Sequence, residues 1–289
     1  MMETVIIIDC GTDLPKEYVE KNNVPLLSMT VNFKGNEYKD DLGETLPYEE
    51  FYREVRAGEM PSTAQINVYA YAEEFRKHVS QGKAVICPVF SSALSGSYNS
   101  ANIAKDMILE EFKDADITVI DTKCASLGEG LLAYYAIEML KQGASKEEIV
   151  NWIETNKLKI NHWFTVDDLN HLKRGGRVSS TAAIIGTLLD IKPVLHVDNE
   201  GRLIPITKVK GRKKSIRALA EELDKRIVNA DNQIIFISHG DCLEDAKLLE
   251  KLIREKHNVK DVIINPIGAV IGTHSGPGTV ALFFLGENR

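Results

Sequence analysis

Three short apolar runs, Thr4–Ile8, Ala84–Phe90 and Asp116–Asp121, each end in a turn of small polar residues and alternate with stretches of helical spacing. That alternation predicts a mostly parallel sheet covered by helices, an α/β fold. In such sheets ligands sit beyond the carboxyl ends of the strands. The turns Asp9-Cys-Gly-Thr-Asp13, Ser91-Ser-Ala-Leu-Ser-Gly-Ser-Tyr98 and Asp121-Thr-Lys-Cys-Ala-Ser-Leu-Gly-Glu-Gly130 are therefore expected along one edge, as the walls of a crevice. The second turn places several hydroxyls and unpaired backbone N–H groups at a helix start, where the dipole favours an anion. Capping of that helix by Ser91, Ser92 or Ser95 is the plainer use of the same serines.

A chain of 289 residues is long for one core. The pattern changes near Lys159, after a Ser145/Glu148 capping box. Beyond it a hairpin is expected from Ile191–Val197 and Leu203–Val209, followed by one β–α–β unit from Gln233 to Asn265. Ile267–His274 and Gly276-Pro-Gly278 read as a glycine-rich loop before a last strand, Thr279–Leu285. Two domains follow: residues 1–158 with the mostly parallel sheet, and residues 159–289, α/β with a mixed sheet.

Composition removes several classes of function. With 35 Lys and Arg against 42 Asp and Glu, the net charge of −7 argues against a general binder of nucleic acid or anionic membranes. No apolar run approaches the ~18 residues of a membrane span, and the opening residues read as a first strand instead of a signal peptide. Four scattered cysteines, Cys10, Cys87, Cys124 and Cys242, form no C-x-x-C pair, which points to a reducing, cytoplasmic setting. Phosphate-loop, zinc, dinucleotide and nucleophile-elbow signatures are missing. A serine nucleophile at Ser95 would need His274 or His239 as its base, so a hydrolase or transferase stays open. So does an interaction protein working through the basic run Lys208–Arg217, whose cations oppose the dipole of the helix they enter. Arg174 and Arg177 flank two glycines, and either could pair with an anion.

Seven of these segments in order resemble the DegV family of bacterial fatty-acid-binding proteins, which includes the FakB subunits of fatty acid kinase. They are Asp9–Pro15, Ser62-Thr-Ala-Gln65, Ser91–Tyr98, Asp121–Gly130, Leu172-Lys-Arg-Gly-Gly-Arg177, Gly211-Arg-Lys-Lys214 and Ile271-Gly-Thr-His-Ser-Gly-Pro-Gly278. The chain departs from the family at the first turn, with Cys10-Gly11 for the usual Ser-Thr, and after Gln65. The resemblance implies a two-domain fold holding one long-chain fatty acid, such as palmitate, stearate or oleate, with no cofactor or metal. Thr63, Ser95, Gly96 and His274 would hold its carboxyl group, with Arg174 near the ligand. The acyl chain would run into the C-terminal domain, where Ile184, Leu188 and Ile191 are candidate tunnel residues. The partner implied is the kinase's catalytic subunit, which would make the acyl-phosphate. Arg202, Arg212, Lys213 and Lys214 are candidate docking residues. Membrane contact would be transient at most. Burying about fifteen methylenes at ~0.8 kcal/mol each gives on the order of 12 kcal/mol before ordering costs, enough for tight binding without catalysis.

Overall fold

The computed structural model describes residues 2–167, 169–178 and 190–289. Its first half is built on a three-stranded parallel sheet in which Ala84–Val89 lies between Thr4–Ile6 and Ile117–Asp121. All six residues of the central strand are buried, which is why that run is apolar throughout and does not alternate. Thr30–Phe33 pairs antiparallel with Asn36–Lys39 on one side and with Ser62–Ala64 on the other. The expected hairpin around Lys34 and Gly35 is thus present, and both residues take the positive φ that its turn requires.

The second half is a six-stranded mixed sheet in the order Leu203–Lys210, Ile191–Val197, Ile160–Thr165, Val280–Leu285, Ile234–His239, Asp261–Pro266. Only the last two strands pair in parallel. The Leu127–Lys141 helix packs against strands of both sheets. It therefore buries residues around most of its circumference, among them Leu127, Leu131, Leu132, Ala133 and Ala136. One continuous apolar cluster joins Ile6 and Ile86 of the first sheet to Phe164, Phe236 and Phe283 of the second.

The expected α/β architecture, parallel sheet first and mixed sheet second, is what the chain forms. The Ser145/Glu148 capping box is also present. One expectation is corrected. Within the supposed glycine-rich loop, Ala269–Ser275 is a helix. Its start is capped from the other half of the molecule: Gly268 N donates to Asp13 Oδ1 (2.9 Å) and Val270 N to Asp40 Oδ2 (2.8 Å). Gly276, at φ 78°, ends it. Long-range caps leave no local mark in the sequence, and the glycines hid the rest.

Candidate functional site

The three polar turns do meet along one edge. Asp9 Oδ2 accepts from Phe90 N (3.2 Å), Asp121 accepts from Ser92 N (3.1 Å), and Thr122 N donates to Val89 O (3.1 Å). Between this edge and the mixed sheet lies a cavity of about 390 Å³, within the range of small-molecule sites.

One end of the cavity is polar. Thr63 sits on the short Ser62–Ala64 strand, held in register by pairing with Val31. The backbone then turns over the start of the Ser97–Glu111 helix, where Ile66 N donates to Ser97 Oγ (3.3 Å) and Gln65 Nε2 to Ser100 Oγ (3.0 Å). A Cβ on Gly96 would collide with the Gln65 side chain, so glycine is what lets this segment approach. Ser95 Oγ accepts from Ser97 N (3.2 Å) and lies 3.0 Å from Ser97 Oγ. It is thus both a local cap and a wall of the cavity.

His274 comes from the long-range-capped helix, and its Nε2 is 2.8 Å from Thr63 Oγ1. Among the described residues its buried Nδ1 has no partner; it packs against Gly175, where a Cβ would collide with it. Burial, reinforced by the charges of Arg177 and Arg174, holds this imidazole down to about 4, so the ring is neutral at pH 7. The tautomer that leaves no buried N–H unpaired carries its proton on Nε2. Nε2–H then donates to Thr63 Oγ1, and the Thr63 hydroxyl hydrogen is free to donate into the cavity. Arg177 adds a half-buried guanidinium. Its Nε donates to Leu94 O (3.1 Å) and its Nη1 to Gly175 O, and burial lowers its pKa.

The rest of the wall is apolar, with Phe90, Leu94, Phe164, Val197, Leu203 and Phe283 prominent. Among the described residues lining the cavity there is no aspartate or glutamate. No group of described residues is placed to hold a metal ion, and no helix among them is long and apolar enough to cross a membrane.

Thr63, Ser95, Gly96 and His274 are thus brought together. Arg174 is exposed and bonds to His171 Nδ1 (3.1 Å); Arg177, three residues on, is the arginine in the wall. Ile191 is half-buried at the start of its strand and does not line the cavity; Val197 and Leu203 of the same hairpin do. Ile184 and Leu188, with the rest of the 181–189 stretch, lie outside the described residues. His239 is also away from the cavity, its Nδ1 accepting from Cys242 N (3.3 Å). Arg212 is tied inward, its Nε 2.9 Å from Asp245 Oδ2. Arg202, Lys213 and Lys214 are exposed. Of the other polar wall residues, Arg177 is one of the two arginines read from the sequence as able to pair with an anion; Gln65 and Ser126 stand inside the Ser62–Gln65 and Asp121–Gly130 motifs without an expectation of their own, and His162 has no local signal.

Comparison with known proteins places this geometry in context. A family model described as "Uncharacterised protein, DegV family" matches residues 3–287. A DegV domain-containing protein of Clostridium perfringens is 51% identical over 289 residues, covering 100% of this chain and 99% of the relative. Among solved structures, a DegV family protein from Thermus thermophilus, described for its fatty acid binding, superposes with a TM-score of 0.89 at 28% identity, over 99% of this chain and 100% of the other. A stearic acid-binding protein from Eubacterium ventriosum superposes with a TM-score of 0.84 at 32% identity, over 98% of each chain.

Proposed function

The chain belongs to the DegV family, and from that premise we propose that it is a carrier of one long-chain fatty acid of the palmitate, stearate or oleate class. The observation that carries the reading is the make-up of the cavity: apolar along its length, hydroxyls and a guanidinium at one end, and no acidic residue among its described lining. An anion on an apolar tail complements such a surface, because a buried carboxylate needs donors and a buried methylene chain needs none. Thr63 and Ser95 would donate to the carboxylate, with the neutral His274 orienting the Thr63 hydroxyl from behind and Arg177 supplying the compensating positive field.

In this reading the protein itself is not a catalyst. Ser95 hydrogen-bonds to Ser97, while His274 is engaged with Thr63 and His239 with Cys242 N. The serine-nucleophile alternative therefore has no base hydrogen-bonded to Ser95 among the described residues. The carboxylate would be presented to the catalytic subunit of a fatty acid kinase, in the cytoplasm. There a carboxylate oxygen attacks the terminal phosphoryl group of a nucleoside triphosphate, the diphosphate leaves, and the acyl-phosphate is carried away. Lys213 and Lys214, exposed and without ion-pair partners among the described residues, are the proposed contact with an acidic face of that partner; Arg202 is at the other end of the Leu203–Lys210 strand, near Glu200, and would be a separate contact.

Denaturing the purified protein and extracting it for mass spectrometry tests the carrier reading. Fatty acid should be released in about equal amount to protein, or taken up when oleate is added to stripped protein. Neither release nor uptake would end it.

A further inference from the structure

The cavity's two ends are built differently. Ser275 and Thr279 lie at the polar end with His274, and Val280, the next residue, pairs with Thr165. Along the same ladder Phe283 pairs with His162 and Leu285 with Ile160. At ~3.3 Å per residue, Ile160 is roughly 17 Å along the strand from Thr165. Phe283 and His162, with ring centroids 5.3 Å apart, are the last wall residues before that end.

Arg289 lies across it. Its Nε donates to Ile160 O (2.9 Å), its Nη1 to Lys123 O (2.7 Å) and Asp198 O (2.9 Å), and its Nη2 to Lys157 O (2.6 Å) and Cys124 Sγ (3.1 Å). An arginine has five N–H groups in a rigid planar fork; all five are used, and none goes to a carboxylate. The acceptors come from three separate stretches of chain, and each runs within two residues into the cavity wall: Cys124 into Ala125, Ile160 into His162, Asp198 back into Val197. The hairpin tip that carries Asp198 is also pinned from the opposite side, where Ser91 Oγ donates to Gly201 O (3.0 Å). Gly201 has φ +81°, and a Cβ there would collide with Ser91 Oγ.

We propose that Arg289 is a positioning residue that fixes the closed end of the cavity and thereby sets the longest acyl chain it accepts. The assignment rests on the fatty-acid reading above. A fixed wall rejects a chain that is too long because the extra methylenes must displace Val197 or His162; a wall freed of its common anchor gives way. One methylene in a well-defined apolar pocket is worth about tenfold or more in discrimination.

The test is competition for stripped protein among dodecanoate, palmitate, stearate, arachidate and behenate, with the bound mixture read by mass spectrometry. The wild type should show a length beyond which retention falls sharply. Arg289→Met should move that limit to longer chains, raising the ratio of the first excluded acid to the best-held one by about tenfold. Ser91→Ala, which frees the hairpin tip alone, should move it in the same direction by less. An Arg289→Met protein that keeps the wild-type limit overturns the proposal, even if it melts at a lower temperature. Should that variant fail to fold, an unchanged limit in Ser91→Ala overturns it instead. If the wild type retains no fatty acid of any length, the carrier reading falls and this assignment with it; if the wild type binds but ranks lengths as both variants do, only this assignment falls.

Discussion

Two buried polar regions lie on either side of the same strand ends, and they are opposites. The cavity mouth holds donors without an acid: Thr63, Ser95 and Arg177, with His274 behind them. Beneath it, Asp9, Asp13, Asp40 and Glu129 are all buried together, acids without a cation among the described residues. Backbone amides supply much of what the acids need, Gly11 N to Asp9 Oδ1 (2.7 Å) and Gly268 N to Asp13 Oδ1 (2.9 Å) among them. Among the described residues no donor is within hydrogen-bonding geometry of either Glu129 oxygen, and Asp9 is the neighbouring charge that acts on it most strongly. Burial acts on both regions and moves them apart. It pushes Asp9 and Asp40 up to about 6 and Asp13 to about 8, raises Glu129 well above the usual carboxylate range, and holds His274 down to about 4. At pH 7 Asp13 and Glu129 keep their protons, while Asp9 and Asp40 carry charge that backbone amides stabilise. The mouth is neutral apart from its guanidinium, and an anion would complete it.

The hardest blow to the mouth is the double variant Thr63→Val with Ser95→Ala. A hydrogen bond to a charged group contributes about 1.5–3 kcal/mol, so the pair should weaken oleate binding by about a hundredfold or more in a titration with a fluorescent fatty acid. Glu129→Gln, in the other region, should leave that affinity within about twofold. A loss below about tenfold in the double variant would move the carboxylate elsewhere; an equal loss in Glu129→Gln would erase the distinction between the regions.

Their contributions to stability should also run in opposite directions with pH. Between its ordinary value of 4.5 and its raised folded value, Glu129 keeps a proton that the unfolded chain has released, so stability falls as pH rises across that window. Asp13 does the same from 3.8 to about 8. His274 is the reverse: between about 4 and 6.5 the unfolded chain binds a proton that the folded ring refuses, so stability is lost as pH falls. Each such group changes stability by up to about 1.4 kcal/mol per pH unit inside its window. Denaturant melts from pH about 4.5 to about 8.5 should show Glu129→Gln flattening the alkaline loss and His274→Gln the acid loss. Curves parallel to the wild type in both variants would mean that neither group is held away from its usual value.

The mouth was largely legible in the sequence and the cluster was not, for a physical reason. Thr63, Ser95, Gly96 and His274 stand in short motifs whose residue types already state the chemistry: hydroxyls at a helix start, glycines where chains approach closely. Asp9, Asp13, Asp40 and Glu129 are ordinary surface residues by type, and only the fold buries them together. The same holds for the Ala269–Ser275 helix, whose capping carboxylates are more than two hundred residues away in the chain, and for Arg289, whose five acceptors no local pattern announces. Sheet order was partly legible. The continuous apolar run of Ala84–Val89 marks a central parallel strand, but nothing in Val280–Leu285 shows that it is inserted between Ile160–Thr165 and Ile234–His239.

The finest distinction lies within the mouth itself, between two arginines three residues apart. Arg174 is exposed and turned toward His171, so Arg174→Ala should change oleate affinity by less than about twofold, as surface substitutions commonly do. Arg177 is part of the wall, and its Nε holds Leu94 O next to Ser95. Arg177→Ala removes both a positive charge and that anchor, and should weaken binding by about tenfold, with Arg177→Lys restoring part of the loss through the charge alone. The lysine variant separates the two roles: full recovery would assign Arg177 to the field at the carboxylate, and no recovery would assign it to the placement of Ser95. An Arg174→Ala loss larger than that of Arg177→Ala would put the carboxylate on the outer side of the Gly175-Gly176 turn, where no hydroxyl of this mouth could reach it.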